Sequence, residues 1–231
     1  MTPPRAPRRG PQRVSERGAS GPARSALVLL AAGASERLGA CKALVELGRD
    51  REGRVVTPLA HLLAAGTDWD GAPPLVITGK HHAEIAAALP PIAQGAENAA
   101  WPRGRTGGIA LAARLRPGFD LCLAPVDVPL VSRAVFQALL AAWKEEGAPA
   151  RGFLAPACTA AGPRPGRRFG HPIVVGRALA LELARFEPDQ PLSELRALAA
   201  PLLAVDVEDP SVLDDLDTAS DLERMRAKFA P

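Results

Sequence analysis

Residues 30–42, Leu-Ala-Ala-Gly-Ala-Ser-Glu-Arg-Leu-Gly-Ala-Cys-Lys, join an apolar lead-in to the small residues Ala31, Ala32, Gly33, Ala34 and Ser35 and then to two cations, Arg37 and Lys42. Small side chains let backbone N–H groups approach an anion closely, and the cations add charge, so the stretch suits a polyphosphate. It is not the GxxxxGK[ST] phosphate loop, because Ala43 follows Lys42, nor GxGxxG, because Gly33 and Gly39 alone are present. Taken alone, it is equally an ordinary strand-to-helix turn. Asp127 is the second chemical signal: it ends the apolar run Asp120-Leu-Cys-Leu-Ala-Pro-Val-Asp127 and precedes Val128-Pro129. An unpaired buried charge is costly, whereas Mg²⁺ takes one or two carboxylates plus substrate phosphates, which gives a carboxylate there a use. Its competing use is as the N-cap of a following helix. The acidic run Glu208 to Asp221 is the third signal, and as a local pattern it suits helix N-termini or a solvated face.

The elements that must carry these residues follow from hydrophobic pattern. Ser25 to Ala31 is continuously apolar after its first residue, as in a strand buried on both faces. Thr57-Pro58 is an N-cap followed by proline at the first helical position, with a helix predicted to Ala65 and Gly66 ending it. Strands are predicted at 75–79, 120–127, 153–156, 172–175 and 202–207, and helices at 82–89, 107–115, 133–146, 176–186, 192–199 and 218–229, the last capped by Thr218. A loop is expected from Thr159 to Gly170. Strands alternating with helices argue for one α/β domain over 25–231, a three-layer α/β/α Rossmann-like open sheet, mostly parallel. Such sheets bind ligands at the carboxyl ends of their strands, so site residues are expected just after 31, 79 (Gly79) and 127.

Composition narrows the classes. The chain has 231 residues, 47% of them apolar, which is enough for a sizeable core. Aromatics are 4% with no Tyr, so a binder that stacks single-stranded nucleic acid is not expected. The net charge of +3 is unevenly placed: residues 1–24 hold six Arg and one Glu, leaving 22 basic and 24 acidic side chains beyond. The basic character belongs to a Pro/Arg/Gly/Ser-rich segment expected to be disordered, not to the folded body. That segment followed by Ala26–Ala32 mimics a secretory signal, but seven apolar residues lie at the bottom of the range. No run approaches the ~18 apolar residues of a membrane span. Cys41, Cys122 and Cys158 are widely spaced, with no CxxC pair, so neither a disulfide framework nor a zinc site is suggested, and a reducing cytoplasm fits best.

Five segments in order carry a family resemblance: Leu30 to Lys42, against a motif like LAAGxSxRMGxxK; Asn98-Ala-Ala-Trp-Pro-Arg-Gly-Arg-Thr-Gly-Gly108; Ala124-Pro-Val-Asp-Val-Pro-Leu-Val131; Gly170-His-Pro172; and Asp214-Asp-Leu-Asp-Thr-Ala-Ser-Asp-Leu222. The chain resembles the nucleotidyltransferases that include the molybdenum-cofactor cytidylyl- and guanylyltransferases. The resemblance implies that Ala31, Ala32 and Gly33, with Ala34 and Ser35, lie against an NTP, CTP or GTP, while Arg37 and Lys42 neutralise its triphosphate. It implies Mg²⁺ on Asp127 with Asp215 or Asp217, spacing not choosing between them, and a phosphorylated small-molecule acceptor. Asn98, Gly107 and Gly108 would contact base or acceptor, and His171 the acceptor. Gly108 stands where the family often has Ser, so a hydroxyl contact is missing there. His61, His81 and His82 receive no role. The competing classes are a non-catalytic nucleotide-binding module and a dinucleotide-dependent oxidoreductase. The second lacks the fingerprint glycines and the acidic residue about 20 positions on.

Overall fold

The structure, a computed structural model, describes residues 23–160 and 165–229. In chain order the elements are β1 (Arg24–Ala31), β2 (Gly48–Arg49), β3 (Val55–Val56), α1 (Pro58–Ala65), β4 (Leu75–Thr78), α2 (His82–Ala88), β5 (Gln94–Glu97), α3 (Thr106–Leu115) and β6 (Phe119–Pro125). They continue with α4 (Arg133–Glu145), β7 (Phe153–Ala160), β8 (Gly166–Phe169), β9 (Ile173–Val175), α5 (Arg177–Leu183), α6 (Leu192–Leu198), β10 (Leu202–Asp206) and α7 (Ala219–Phe229). Single 3₁₀ turns occupy Trp101–Arg103 and Pro210–Leu213.

The main sheet runs β10-β7-β9-β6-β1-β4-β5, with β8 paired to β7 outside that path. β1 is central and parallel to both β4 and β6, in register Ala31 with Thr78 and Leu30 with Pro125. β9 is antiparallel to β6 and to β7, and β8 to β7, while β10 and β7 are parallel, so the sheet is the expected mostly parallel one with β8 and β9 reversed. Side chains alternate across a strand, and β1 shows the result. Leu27 and Leu29 pack on the α1 and α4 face with Leu59, Leu62, Phe136 and Leu139. Ala26 and Val28 pack on the α3 and α5 face with Ile109, Ala112, Leu179 and Leu183. A strand apolar at both alternations must be covered twice, which produces the three layers.

Local signals end the helices as the sequence implies. Thr57 Oγ1 accepts from the N–H of Ala60 at 3.2 Å to start α1. Thr218 and Asp221 close a reciprocal cap on α7, the Asp221 N–H donating to Thr218 Oγ1 at 3.2 Å and the Thr218 N–H to Asp221 Oδ2 at 2.9 Å. The acid near the start of β6 is structural: Asp120, 1% exposed, accepts from Trp143 Nε1 at 3.0 Å and the Arg177 N–H at 2.8 Å, tying α4 and the start of α5 to the sheet.

Three expectations are corrected. The loop expected from Thr159 to Gly170 contains a hairpin, β7 pairing with β8 from Ala157–Phe169 to Ala160–Gly166; all four β8 residues are exposed, so backbone pairing and not burial defines it. β5 escapes sequence pattern because Gln94-Gly-Ala-Glu97 is an exposed edge strand zipped onto β4. The basic segment expected to reach residue 24 ends earlier, since Arg24 begins β1, its guanidinium 4.3 Å from the Phe119 ring centroid; residues 1–22 lie outside those described. Ala26 to Ala31 is the middle of the sheet, which accounts for the run that mimicked a signal segment. Among the described residues no helix is long and apolar enough to cross a membrane.

Candidate active site

The carboxyl ends of β1, β4 and β6 lie side by side, and the segments that leave β1 and β6 form one wall of a cavity of about 590 Å³. After β1 no helix starts. Residues 36–39 form turns, Leu38 and Gly39 N–H donating to Ser35 O at 3.2 and 3.0 Å, and Ser35 takes a positive φ of 55°. A non-glycine residue in the left-handed region costs about 1 kcal/mol or more and is held there by its surroundings. Here the hold is Ser35 Oγ, which accepts from the Lys42 N–H at 3.3 Å. The strand-to-helix turn is thereby replaced by a loop folded back on its own end, which sets Lys42 at the cavity.

Gly79 lets the β4 end support this loop, because a Cβ at that position would collide with the carbonyl oxygen of Ala32. Asp127 lies two residues beyond the end of β6 and lines the cavity; the N-cap position of α4 belongs to Ser132, so a capping role is excluded. Its carbonyl accepts from the Leu216 N–H at 2.7 Å, which docks the C-terminal acidic segment beside it.

The fold sorts that acidic segment residue by residue. Leu216 is fully buried with Leu47, Leu222 and Met225, so its neighbours Asp215 and Asp217 turn to the cavity. Asp214 is drawn away by α7, paired with Arg224 and Lys228 at 2.6 Å each. Asp217 receives Lys42 Nζ on Oδ1 at 2.6 Å and Arg37 on Oδ2 at 2.7 Å. These donors, Lys42 first, hold its carboxyl below the usual range. Asp215 has the opposite electrostatics: burial, then the charges of Asp127 and Asp217, push its carboxyl up. Two sequence-equivalent acids are thus chemically distinct.

Across the cavity stand Trp101, Pro102, Arg105, Gly108, His171 and Leu192. His171 donates its N–H to Val212 O at 3.0 Å, and its ring Nδ1 is buried without a partner. Burial pushes the imidazole down, Arg105 adding to the effect and Asp127 opposing it, so the ring is neutral at neutral pH.

Of the residues expected from sequence, the structure brings Ala31, Ala32, Gly33, Ala34, Ser35, Arg37, Lys42, Gly108, Asp127, His171, Asp215 and Asp217 to one cavity. Gly79, Gly107 and Asn98 are not among the residues that line it. Gly79 packs under Ala32, Gly107 against Pro188, and Asn98 is 6% exposed behind Gly108, its Nδ2 buried without a partner. Trp101 and Arg105 lie inside a quoted segment but carried no individual signal, and Leu192 carried none, since α6 reaches the cavity only through the fold.

Among curated proteins, none matches the chain by sequence. Solved structures share the fold. Rv0371c of Mycobacterium tuberculosis aligns with a TM-score of 0.66 at 23% identity over 89% of this chain and 98% of its own. The 2-C-methyl-D-erythritol 4-phosphate cytidylyltransferase of Thermus thermophilus gives 0.60 at 21% identity over 87% and 97%. The molybdopterin-guanine dinucleotide biosynthesis protein A of Archaeoglobus fulgidus gives 0.60 at 19% identity over 88% and 97%. A sequence profile of the MobA-like NTP transferase domain matches residues 27–205, from the first core strand through β10, and the chain belongs to that family.

Proposed function

We propose that the protein transfers an NMP from CTP or GTP to a phosphorylated small-molecule acceptor, of the sugar or molybdopterin type, releasing pyrophosphate. The observation that carries this reading is the convergence of Lys42, Arg37, Asp127 and Asp215 on one cavity at the carboxyl ends of β1 and β6. In the reaction an acceptor phosphate oxygen bonds to the α-phosphorus as the bridging oxygen to the β-phosphorus leaves with pyrophosphate. A phosphate monoester is already ionised near neutral pH, its second pKa being about 6, so no general base is required. The protein supplies position and charge. Lys42, 14% exposed and fixed by Asp217, is the oriented cation at the loop end, and the more exposed Arg37 closes over the same phosphates. The loop backbone from Ala31 to Ser35 faces the nucleotide, and neutral His171 lines the acceptor side.

Asp127 and Asp215 fit a divalent cation such as Mg²⁺. They are oxygen donors sharing a cavity, and their mutual repulsion is what a cation between them relieves. Asp217, committed to Lys42 and Arg37, serves as counter-ion. Mg²⁺ would supply charge neutralisation on the phosphate oxygens. The manganese complex of Rv0371c, with a TM-score of 0.61 to this chain at 22% identity over 88% of it and 98% of its own length, supports a divalent ion in this fold.

The test is a matrix of CTP, GTP, UTP and ATP against pterin and sugar phosphates, read by pyrophosphate release with Mg²⁺. One productive pair is expected, abolished by Asp127→Asn in a folded protein. Full activity in that variant overturns the reading, and NTP binding with no pyrophosphate from any acceptor replaces it with a non-catalytic module.

A further inference from the structure

Behind the nucleotide loop, on the side of α2, the fold assembles a second group of ligating atoms that no sequence spacing announces. Cys41 Sγ, a ring nitrogen of His81 and a carboxylate oxygen of Glu84 all lie within 4.8 Å of one another, the one such trio of Cys, His, Asp or Glu side chains among the described residues. Cys41 is 8% exposed and immediately precedes Lys42; His81 sits at the β4–α2 corner, two residues after Gly79; and Glu84 reaches in from the first turn of α2. The edges of a tetrahedral site with bonds of about 2.0–2.3 Å are roughly 3.3–3.8 Å, so small side-chain rotations close the trio on an ion. His81 Nδ1 is already 3.1 Å from Glu84 Oε1.

The imidazole is oriented as a ligating histidine needs to be. Its Nε2 faces the carbonyl oxygen of Ala34 at 3.4 Å, so with the proton on Nε2 donated there, Nδ1 carries its lone pair on the Glu84 side. A hydrogen bond from the far ring nitrogen to a backbone carbonyl is the usual way a metal-binding histidine is fixed in tautomer and rotation. The donor chemistry separates this trio from Asp127 and Asp215. Those offer oxygen alone and suit a hard ion, whereas sulfur, nitrogen and oxygen together suit a borderline dication.

We propose that Cys41, His81 and Glu84 form a three-ligand site for a transition-metal dication of the zinc class, with its fourth position open. On binding, the Cys41 sulfur bonds to the ion and its proton passes to solvent. The site pins the nucleotide loop at two points, through Cys41 next to Lys42 and through His81 against Ala34, to the rigid β4–α2 corner. Cys41 also lines the cavity, so the two readings are kept apart by the readout: cobalt binding is measured with no NTP or acceptor present.

Cobalt(II) is the probe, added to the purified full chain with Mg²⁺ in excess to fill oxygen sites. One equivalent is expected to give the near-ultraviolet thiolate-to-cobalt band and the intense visible bands of tetrahedral cobalt. Cys41→Ser abolishes the thiolate band and Cys158→Ser retains it. Glu84→Gln alters an exposed side chain that the fold does not need and lowers cobalt affinity at least about tenfold, and His81→Gln does the same. Absence of the band in the parent protein, its persistence in Cys41→Ser, or affinity unmoved by both Glu84→Gln and His81→Gln overturns the proposal.

Discussion

Asp215→Asn and Asp217→Asn change the same charge two residues apart, yet the structure gives them opposite signs in stability. Asp217 accepts from Lys42 at 2.6 Å, with Lys42 14% exposed, and from Arg37 at 2.7 Å, with Arg37 67% exposed. A charge-assisted hydrogen bond at a largely buried position contributes about 1.5–3 kcal/mol, and an exposed ion pair contributes under about 1 kcal/mol. Asn keeps one acceptor oxygen, so the net loss in Asp217→Asn is about 2 kcal/mol. At roughly 2–4 °C per kcal/mol for a chain of this size, Tm falls by roughly 4–8 °C. Burial and the charges of Asp127 and Asp217 oppose the charge on Asp215, so Asp215→Asn removes repulsion and leaves Tm unchanged or raised. Calorimetry reads these shifts, and Mn²⁺ binding followed by paramagnetic resonance reads the other half. Asp215→Asn lowers Mn²⁺ affinity at least about tenfold, since even outer-shell partners of a metal contribute that much. An equal fall of Tm in both variants, or Mn²⁺ binding lost in Asp217→Asn and kept in Asp215→Asn, refutes the assignment of ligand and counter-ion.

Removing the oriented cation in Lys42→Ala lowers kcat by about 10²–10³, measured as pyrophosphate release at saturating NTP; a change confined to KM would show that Lys42 binds ground state and transition state alike. Asp120→Ala strips buried partners from Trp143 Nε1 and the Arg177 N–H and destabilises by about 3 kcal/mol in denaturant melts, with activity per folded molecule retained. Burial pushes both His61 and His171 down, so the unfolded chain binds their protons more tightly than the native one does. Stability is therefore full above the unfolded value of about 6.5 and declines as pH falls below it, and His171→Gln flattens that decline in melts across pH 5–7. A Cβ at Gly108 would meet Ile77 Cγ2 at 3.3 Å and Asn98 Nδ2 at 3.7 Å, so the hydroxyl of Gly108→Ser reaches the unpartnered amide of Asn98. Stability is expected to move by less than about 1 kcal/mol, because the helix-propensity gain of about 0.5 kcal/mol offsets the tight contact, while the ratio of CTP to GTP kcat/KM changes.

Hydrophobic pattern and small-residue spacing specify the layers and mark the loop. A strand apolar at both alternations, as at Leu27, Val28 and Leu29, has to be covered on two faces, and its carboxyl end then lies where an α/β sheet binds ligands. Gly33, Lys42 and Asp127 follow such strand ends in the sequence and line one cavity in the fold. Exposed strands stayed hidden, because β5 and β8 are held by ladder hydrogen bonds that leave no periodicity in residue type. Long-range pairing alone decided the charges. Asp214, Asp215 and Asp217 are one acidic string in the sequence, but α7 takes the first, the cavity keeps the second, and Lys42 and Arg37, 175 and 180 residues away, claim the third. The same reason kept Cys41, His81 and Glu84 apart until folding, since the β1 loop and the β4–α2 corner become neighbours only when their strands pair. Residue chemistry is local, but the energy of a charge or a metal ligand depends on what stands within a few ångströms of it, and that is set by the fold.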